Sequence, residues 1–392
     1  MPRLLHLADV HLGARHDDLG EAATRQRERQ LAAFVRAVDL GLERRVDAAL
    51  ICGDLFDSNA QPRRSVERAV SELVRLTERG IRVVIIPGTH DVYDSRSIYR
   101  AFDLPGMAGL APGGDSLVVL TPERPELRIA DLDLVIHARV YATKRAPRSP
   151  LDGFSLADED RASWNVGMIH GSRHIPGVVE RDDVIFSDDE IAASGLDYLA
   201  LGHWHSFSTG RAGATTWADA GAPEPVAVDQ DGAGYVCIVE LGAGPDGSRE
   251  VAVEQVRVGR TVFRSESVDA GTLASQAALV EQLQALAAPD LVLQVSIEGI
   301  TADTLEIDPV EVERLLAPSF LHVRVRDRSV ADLEPMPDLS PDTVAGAFMA
   351  DLEAQLAAAE TAGDEEAAEQ ARAVMRLGRR LLLDDPDHVT LP

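Results

Sequence analysis

Residues 4–13, LLHLADVHLG, combine a short apolar run with two polar side chains, Asp9 and His11, directly behind it. The same form recurs four times, each time as an apolar run followed by Gly, Asp or His: AALICGDLFD (48–57), VVIIPGTHD (83–91), VGMIHGS (166–172) and YLALGHWHS (198–206). Short apolar runs bounded by turn residues are typical of buried β-strands, because an amphipathic helix needs a longer run with helical periodicity. The five segments therefore predict five buried strands that end in polar side chains.

Two helical stretches separate the first three predicted strands. Residues 27–45, RERQLAAFVRAVDLGLERR, and 62–80, PRRSVERAVSELVRLTERG, repeat apolar side chains at helical spacing, and Gly80 is a helix stop. Alternation of strand and helix predicts an α/β domain built in layers. Farther along the chain, YVCIVELG (235–242) and REVAVEQVRVG (249–259) predict a hairpin that closes a sheet.

Two further segments complete this part of the chain. Residues 207–233 are rich in Gly, Ala, Thr and Asp, so we interpret them as a loop. Residues 262–328 offer a helix, a strand, a short helix and another strand, which predicts a small separate α/β domain.

The last segment predicts a helical hairpin. Ser340-Pro341-Asp342 is a helix start with Ser as the cap, and Thr361-Ala362-Gly363-Asp364 is a turn before a second helix. Each helix carries a narrow apolar stripe, formed by Val344, Phe348, Leu352 and Leu356 in the first and by Val374, Leu377 and Leu381 in the second. Two interpretations stay open: the stripe packs back onto this chain, or it docks a partner helix.

Composition limits the class of protein. The 392 residues carry a formal net charge of −27, and Lys144 is the single lysine. A nucleic-acid substrate would therefore have to be held by local arginine clusters, bound metal or a partner, because phosphate contacts normally need a basic surface. Cys52 and Cys237 are far apart and predict no disulfide framework. Without a signal peptide pattern or an apolar run of about 20 residues, we expect a soluble cytoplasmic protein without membrane contact.

Polar residues that suit a metal site follow each predicted strand. The carboxyl ends of strands in open α/β sheets are the usual location of a site, so these side chains are expected to converge. They are two aspartates and five histidines: Asp9, His11, Asp54, His90, His170, His203 and His205. Mixed carboxylate and imidazole ligation favours Mn, Fe or Zn over Mg. A shared carboxylate can hold two ions roughly 3.5–4 Å apart, which suits hydrolysis of a phosphate ester.

The order of these motifs resembles a known superfamily. D-x-H, G-D-x-x-D, G-x-H-D, a lone His-Gly and G-H-x-H, in that sequence, are similar to the calcineurin-like metallophosphoesterases. LHLADVHLG, GDLFD, LGHWH and GAPEP (221–225) resemble the branch of SbcD-type DNA repair exonucleases. The resemblance implies a layered sandwich of two β-sheets flanked by helices in residues 1–260. It also implies a small α/β capping domain in 261–332 and a C-terminal helical hairpin in 333–392.

The resemblance also implies roles for the site residues. One ion would be held by Asp9, His11, Asp54 and His205, and the other by Asp54, His170, His203 and the residue at position 89. That position is Asn in the family and Thr89 here, so the second site is expected to be weaker. His90 would protonate the leaving oxygen or stabilise the charged phosphorus centre, with Asp91 orienting its ring.

Partners and substrates follow from the same resemblance. We expect DNA as the substrate, Mn as the favoured metal, a homodimer, and an SbcC-type coiled-coil ATPase that docks on the C-terminal helices. Candidate phosphate contacts are Arg15, Lys144, Arg145, Arg148 and Arg173. Two alternatives to a DNA repair nuclease remain: a stand-alone phosphodiesterase or phosphatase for small esters, and a non-catalytic DNA-end-binding subunit, the latter prompted by Thr89.

Overall fold

The computed structural model of the chain describes residues 1–157, 161–179, 181–227, 230, 232–244, 247–301, 305–331, 340 and 342–383. The chain forms two compact units. The first unit is Met1–Arg264 with Pro289–Val292, and the second is Ser265–Ala288 with Leu293–Pro392. None of the helices in the described ranges is long and apolar enough to span a membrane.

The first unit contains two six-stranded sheets and one small pair of strands, all numbered in chain order. The first sheet consists of β1 (Arg3–Leu7), β2 (Ala48–Cys52), β3 (Arg82–Ile86), β4 (Leu117–Val119), β13 (Tyr235–Ala243) and β14 (Arg249–Arg257). The second sheet consists of β5 (Glu126–Ile129), β6 (Leu134–Arg139), β7 (Trp164–His170), β10 (Tyr198–Gly202), β11 (Ser208–Ala212) and β12 (Thr215–Asp219). The pair is β8 (Ser172–Arg173) with β9 (Ile185–Phe186).

Both sheets have a parallel centre. In the order β14-β13-β1-β2-β3-β4, strands β1 to β4 run parallel, and the β13–β14 hairpin adds to β1 in antiparallel fashion. In the order β11-β12-β10-β7-β6-β5, the four central strands are parallel and the two edge strands are antiparallel. Parallel strands bring their carboxyl ends to one edge of a sheet, which places the polar residues that follow them side by side.

Alternation along β2 explains the layers. Leu50 packs between the two sheets with Met168 and Tyr198, whereas its neighbour Ile51 packs on the opposite face with Phe34 from a helix. Leu50 and Ile51 are at most 1% exposed, and complete burial of such a side chain stabilises the fold by about 1.5–3 kcal/mol. A strand that is buried on both faces has no polar alternation, which is why β2 is a continuous apolar run in the sequence.

The described residues of the first unit form the helices α1 (Ala23–Arg44), α2 (Arg63–Thr77), α3 (Ile98–Ala101), α4 (Leu104–Met107) and α5 (Asp188–Ala193). Short 3-10 segments occur at Asp17–Ala22 and Ala130–Leu132. The predicted helices at 27–45 and 62–80 correspond to α1 and α2, and Gly80 adopts a φ of 76° in the turn after α2. The expected fold of two sheets flanked by helices is confirmed.

One interpretation of the sequence was wrong. Residues 207–233, taken as a loop, contain β11 and β12, and β12 pairs with β10 so that Leu199 lies beside Trp217. Strand β12 could not be recognised in the sequence because its Thr and Ala side chains form no apolar run. In the structure, however, Trp217 and Ala218 are buried. The hairpin of β13 and β14 was predicted correctly.

The second unit contains most of a three-stranded sheet, in the order β15-β16-β18, and four helices among its described residues. Its strands are β15 (Val262–Asp269), β16 (Ala288–Glu298), β17 (Ile300–Thr301), β18 (Phe320–Asp327) and β19 (Val330–Ala331), of which β17 and β19 form a parallel pair. Its helices are α6 (Gln276–Gln284), α7 (Pro309–Leu316), α8 (Val344–Ala362) and α9 (Glu365–Leu383), with 3-10 segments at Ala270–Thr272 and Ala317–Ser319. The division of this part into residues 261–332 and 333–392 stays a prediction.

The helical hairpin differs in detail from its prediction. Helix α8 begins at Val344, and its cap is Thr343, whose side chain accepts a hydrogen bond from the Gly346 amide at 3.0 Å, rather than Ser340. Pro341 and the residues after Leu383 lie outside the described ranges, as do the side chains of Leu377 and Leu381. Between the helices, Met349, Leu352 and Met375 form a small core with Leu356 at its edge. Val344 and Phe348 are 81% and 37% exposed, so the predicted stripe only partly faces α9.

Candidate metal centre

The polar residues after β1 and β2 are aligned by main-chain hydrogen bonds. The amides of Asp9 and His11 donate to the carbonyls of Gly53 and Asp54 at 3.1 and 2.9 Å. Asp9, His11 and Asp54 have φ values of 52°, 50° and 51°, in the left-handed region that non-glycine residues rarely adopt. The strand β1 ends at Leu7, so Asp9 and His11 lie in the turn that follows it. Strained backbone of this kind concentrates at functional sites, where the surrounding fold holds it in place.

Two glycines allow the side chains to approach each other closely. A Cβ atom on Gly53, which has a φ of 84°, would lie 2.3 Å from Nδ1 of His170. A Cβ atom on Gly88 would lie 2.2 Å from Oδ1 of Asp54. The loops after β2 and β3 can therefore enclose the Asp54 carboxylate only because these two positions lack side chains.

Three groups of side chains hold ligand atoms that all lie within 4.8 Å of one another: Asp9, His11 and His205; Asp9, Asp54 and His170; and His11, Asp57 and His90. In the first group, Nε2 of His11 is 3.2 Å from Nε2 of His205, which in turn is 3.8 Å from Oδ1 of Asp9. In the second group, Nε2 of His170 is 3.1 Å from Oδ2 of Asp54. Six of the seven predicted strand-end residues thus lie in these groups.

The imidazole tautomers suit metal binding. Nδ1 of His170 donates to the Cys52 carbonyl at 2.9 Å, and Nδ1 of His11 donates to the Asp57 carboxylate at 3.3 Å. In the neutral form of each ring the lone pair then lies on Nε2, which faces the carboxylates. Nε2 of His170 is buried and makes no hydrogen bond. A buried nitrogen lone pair directed at carboxylates, with its ring oriented by a second acceptor, is the arrangement of a metal-ligating histidine.

The electrostatics also favour a cation at this position. Burial alone would lower the pKa of His170, but Asp54 raises it to about 10. Burial likewise acts against protonation of His11, yet Asp57 and Asp54 raise its pKa. Burial would raise the pKa of Asp54, but His170 and His11 hold it well below its usual range. The buried carboxylates therefore recruit positive charge, and a divalent ion can supply what protonated imidazoles supply here.

The two remaining predicted ligands occupy different positions. The Thr89 hydroxyl donates to Oδ2 of Asp54 at 3.4 Å and the residue is 8% exposed, so it lies beside the shared carboxylate. The main-chain amide of His203 donates to Asp9, but its Nε2 lies 3.2 Å from both carboxylate oxygens of Asp182. His203 belongs to none of the three groups found in the described residues, so its role as a ligand stays a prediction.

The Asp91 carboxylate does not contact the His90 ring, so its predicted orienting role stays a prediction. Nδ1 of the half-exposed His90 ring donates to the main-chain carbonyl of Asp57 at 3.0 Å, and not to Asp91. The Asp91 carboxylate is fully buried and accepts four hydrogen bonds: from the amides of Gly88, Asp54 and Phe56 and from the Tyr99 hydroxyl. Asp91 therefore anchors the loops that carry the site.

Sequence reasoning missed two acidic residues of the site. Asp57 is the last residue of the G-D-x-x-D motif, so its spacing signalled a position near the metal ligands. Asp182 belongs to no sequence motif, so its position beside His203 is visible only in the structure. Asp182 also accepts a hydrogen bond from the Ser172 hydroxyl, which itself accepts one from Nε1 of Trp204 at 2.7 Å.

The predicted phosphate contacts divide into paired and unpaired cations. Three arginines form ion pairs with acids: Arg145 with Asp183 at 2.9 Å, Arg148 with Asp152 at 3.9 Å, and Arg173 with Asp188 at 3.0 Å. Arg15 and Lys144 are exposed and make no ion pair with any residue in the described ranges. Lys144 lines a shallow pocket together with Thr89 and His170.

Comparison with known proteins agrees with this geometry. Residues 2–207 match the family described as calcineurin-like phosphoesterase. The chain belongs to the calcineurin-like phosphoesterase family. This family uses a dinuclear metal centre, and the donors found here, carboxylates and imidazole nitrogens around an unpartnered Nε2, fit such a centre.

Several relatives of this phosphoesterase carry the name of a DNA repair protein. The DNA double-strand break repair protein Mre11 of Aeropyrum pernix is 33% identical over 235 residues, which cover 59% of this chain and 55% of that protein. The Mre11 protein of Halobacterium salinarum is 25% identical over 337 residues, or 85% of this chain and 79% of that protein. The uncharacterized metallophosphoesterase YhaO of Bacillus subtilis is 24% identical over 208 residues, covering 51% and 48%. The chain thus spans about half the length of several curated relatives that it matches.

Proposed function

We propose that this chain is a DNA repair nuclease of the cytoplasm, which hydrolyses phosphodiester bonds at DNA ends with two divalent ions, Mn being favoured. The observation that carries the proposal is the orientation of the His11 and His170 rings. In each ring Nδ1 donates a hydrogen bond, and Nε2 faces a buried carboxylate. The resemblance to relatives named as double-strand break repair proteins supports DNA as the substrate.

The proposed ligand sets share Asp54. Asp9, His11, Asp54 and His205 would hold one ion, and Asp54, His170, His203 and Thr89 the other. His203 can join only if its Nε2 leaves Asp182. When bound, two ions would neutralise charge on the attacking and leaving oxygens of the phosphodiester.

The His90 ring is suited to proton transfer. Its side chain is 47% exposed beside the buried ligands, and Asp57 accepts the Nδ1 proton through its main-chain carbonyl. The Asp57 carboxylate lies 3.9 Å from the same Nδ1. In the imidazolium form, Nε2 carries the proton that His90 would donate to the leaving oxygen.

The proposal includes partners. With a net charge of −27, the chain needs help to hold DNA, so we propose an SbcC-type coiled-coil ATPase that docks on α8 and α9, and a homodimer. Val344, Phe348, Val374 and Leu382 of these helices are between 37% and 81% exposed, which supports a docking role.

The test is hydrolysis by purified protein with Mn of three substrates: duplex DNA, single-stranded DNA and bis(4-nitrophenyl) phosphate. We expect nucleotide release from DNA, and a loss of about 100- to 10,000-fold in His90→Ala with metal content unchanged. Cleavage of the aryl diester alone would instead indicate a stand-alone phosphodiesterase. No turnover of any substrate, with metal bound and the ATPase present, would indicate a non-catalytic end-binding subunit.

A further inference from the structure

Lys144 is the single lysine among 38 basic residues, and it lies beside the metal centre. It follows β6 by a few residues, in a loop that lines a pocket together with Thr89 and His170. The side chain is exposed. The single lysine of the chain, whose other basic residues of this group are all arginines, thus lies next to the candidate ion ligands.

The charge of Lys144 is uncompensated. The next cation in the loop, Arg145, forms an ion pair with Asp183 at 2.9 Å, and Arg148 lies 3.9 Å from Asp152. Within the described ranges Lys144 has no such partner, and no acidic residue is among those that line its pocket. An unpaired ammonium group in a strongly acidic chain provides a local site for an anion.

Arg139, which also lines the pocket, is held in place. Nε of Arg139 donates to the Pro150 carbonyl at 2.7 Å, and the guanidinium lies 5.1 Å from the centroid of the Phe154 ring. The loop that carries Lys144 therefore begins at a residue whose side chain is held in place. The exposed side chain of Lys144 can still move to contact a ligand.

The sheet topology places Lys144 to one side of the ions. The predicted ligands that belong to the three groups lie at or just after the ends of β1, β2, β7 and β10. Lys144 instead follows β6, which pairs with β7 on the side away from β10. Neighbouring strands are about 4.8 Å apart, so the Lys144 loop lies one strand beyond His170. That offset suits a second phosphate along a polynucleotide better than the phosphate that reacts between the ligands.

We propose that Lys144, beside Thr89 and His170 and without an acidic partner, binds the backbone phosphate next to the one that is cleaved. This inference rests on the proposed nuclease function, and it assigns to Lys144 the preference for polynucleotides over isolated phosphate esters. The lysine is a specificity residue and takes no part in bond breaking.

The first test compares two substrates that differ in the neighbouring phosphate. An oligodeoxynucleotide has one, and bis(4-nitrophenyl) phosphate does not. In Lys144→Ala, the ratio of kcat/KM for the oligonucleotide to kcat/KM for the aryl diester should fall about tenfold, and the slope of log affinity against log salt should decrease by about 1. Lys144→Arg should restore most of the ratio. The matched control is Arg68→Ala, which removes an exposed positive charge on α2 and should leave the ratio unchanged.

The second test uses the single lysine directly. An amine-selective acetylating reagent modifies Lys144 and the terminal amine alone, so peptide mass spectrometry reads one site. A single-stranded oligodeoxynucleotide, bound in the presence of Ca²⁺ in place of Mn, should protect Lys144 from acetylation at least severalfold. The corresponding unphosphorylated nucleosides should not.

The outcomes are distinct. A lower ratio with rescue by arginine and protection by the oligonucleotide supports the inference. An unchanged ratio in Lys144→Ala, or equal losses on both substrates, overturns it while the nuclease function of the wild type stands. A wild-type protein that hydrolyses the aryl diester but no DNA overturns the proposed function itself, and the inference with it.

Discussion

Removal of the Asp91 carboxylate is predicted to destabilise the fold. Its Oδ1 accepts from the amides of Gly88 and Asp54 at 2.7 and 3.3 Å, and its Oδ2 accepts from the Phe56 amide at 3.2 Å and from the Tyr99 hydroxyl at 2.5 Å. Burial and the charge of Asp54 raise the pKa of Asp91 to about 6. One buried side chain thus connects the loops after β2 and β3 with the start of α3.

The magnitude follows from the donors that would be left behind. Each buried donor without an acceptor costs about 1–3 kcal/mol, so four donors set a ceiling of roughly 12 kcal/mol for Asp91→Ala. Water that enters the vacated space can satisfy part of them, and we expect a loss of about 4 kcal/mol. Asp91→Asn keeps one acceptor oxygen and should lose about 2 kcal/mol. At about 2–4 °C per kcal/mol, the melting temperature should fall by roughly 8–16 °C and 4–8 °C respectively.

The assay is thermal and guanidinium unfolding of both Asp91 variants beside His90→Ala. His90 is half-exposed and its ring makes one hydrogen bond to a main-chain carbonyl, so His90→Ala should shift the unfolding free energy by less than about 1 kcal/mol. An Asp91→Ala protein that melts like the wild type, but has lost turnover to the same extent as His90→Ala, would contradict the structural role. It would restore the catalytic role that the sequence suggested.

Three further predictions concern pH, metal and the unusual ligand. Burial lowers the pKa of His6 to about 4 from 6.5, so the unfolded chain binds the proton first and the free energy of unfolding should fall by about 2 kcal/mol between pH 7 and pH 5. His6→Gln, which keeps a donor and an acceptor, should lose this slope in denaturant titrations. Mn should raise the melting temperature, and EDTA should reverse the effect. Although burial opposes protonation, Asp54 raises the pKa of His170 to about 10 in the metal-free protein. Calorimetry in two buffers should therefore detect proton release when the metal binds. Thr89→Asn should tighten binding of the second ion about tenfold in Mn titrations, and an unchanged affinity would exclude position 89 as a ligand.

Much of the fold could be predicted because its central strands are buried on both faces. β2 and residues 83–86 of β3 are unbroken apolar runs, so the positions of these strands and the polar residues behind them can be predicted from the sequence. The carboxyl-end rule then brings Asp9, Asp54 and His170 together without further information. β12 could not be found in this way, because its Thr and Ala side chains are buried by partners that only the tertiary fold supplies.

The details of the site depend on contacts between distant segments. The left-handed backbone of Asp9 and His11 is set by hydrogen bonds to Gly53 and Asp54, more than 40 residues away in the chain. Local sequence preferences do not encode that pairing, so the backbone conformation at Asp9 and His11 could not be predicted from the sequence. For the same reason the motif suggested that Asp91 acts on its neighbour His90, whereas the folded chain uses its carboxylate for remote amides.

The central claim is that two ions bind between carboxylates and imidazoles at the ends of the strands, with Asp54 shared. The most direct measurement is the Mn content per chain, determined by inductively coupled plasma mass spectrometry after removal of free metal. We predict two ions for the wild type and at most one for Asp54→Asn, with the folded state of the variant verified by circular dichroism. A wild-type protein that binds no Mn under saturating conditions, or an Asp54→Asn protein that keeps both ions, would contradict the account.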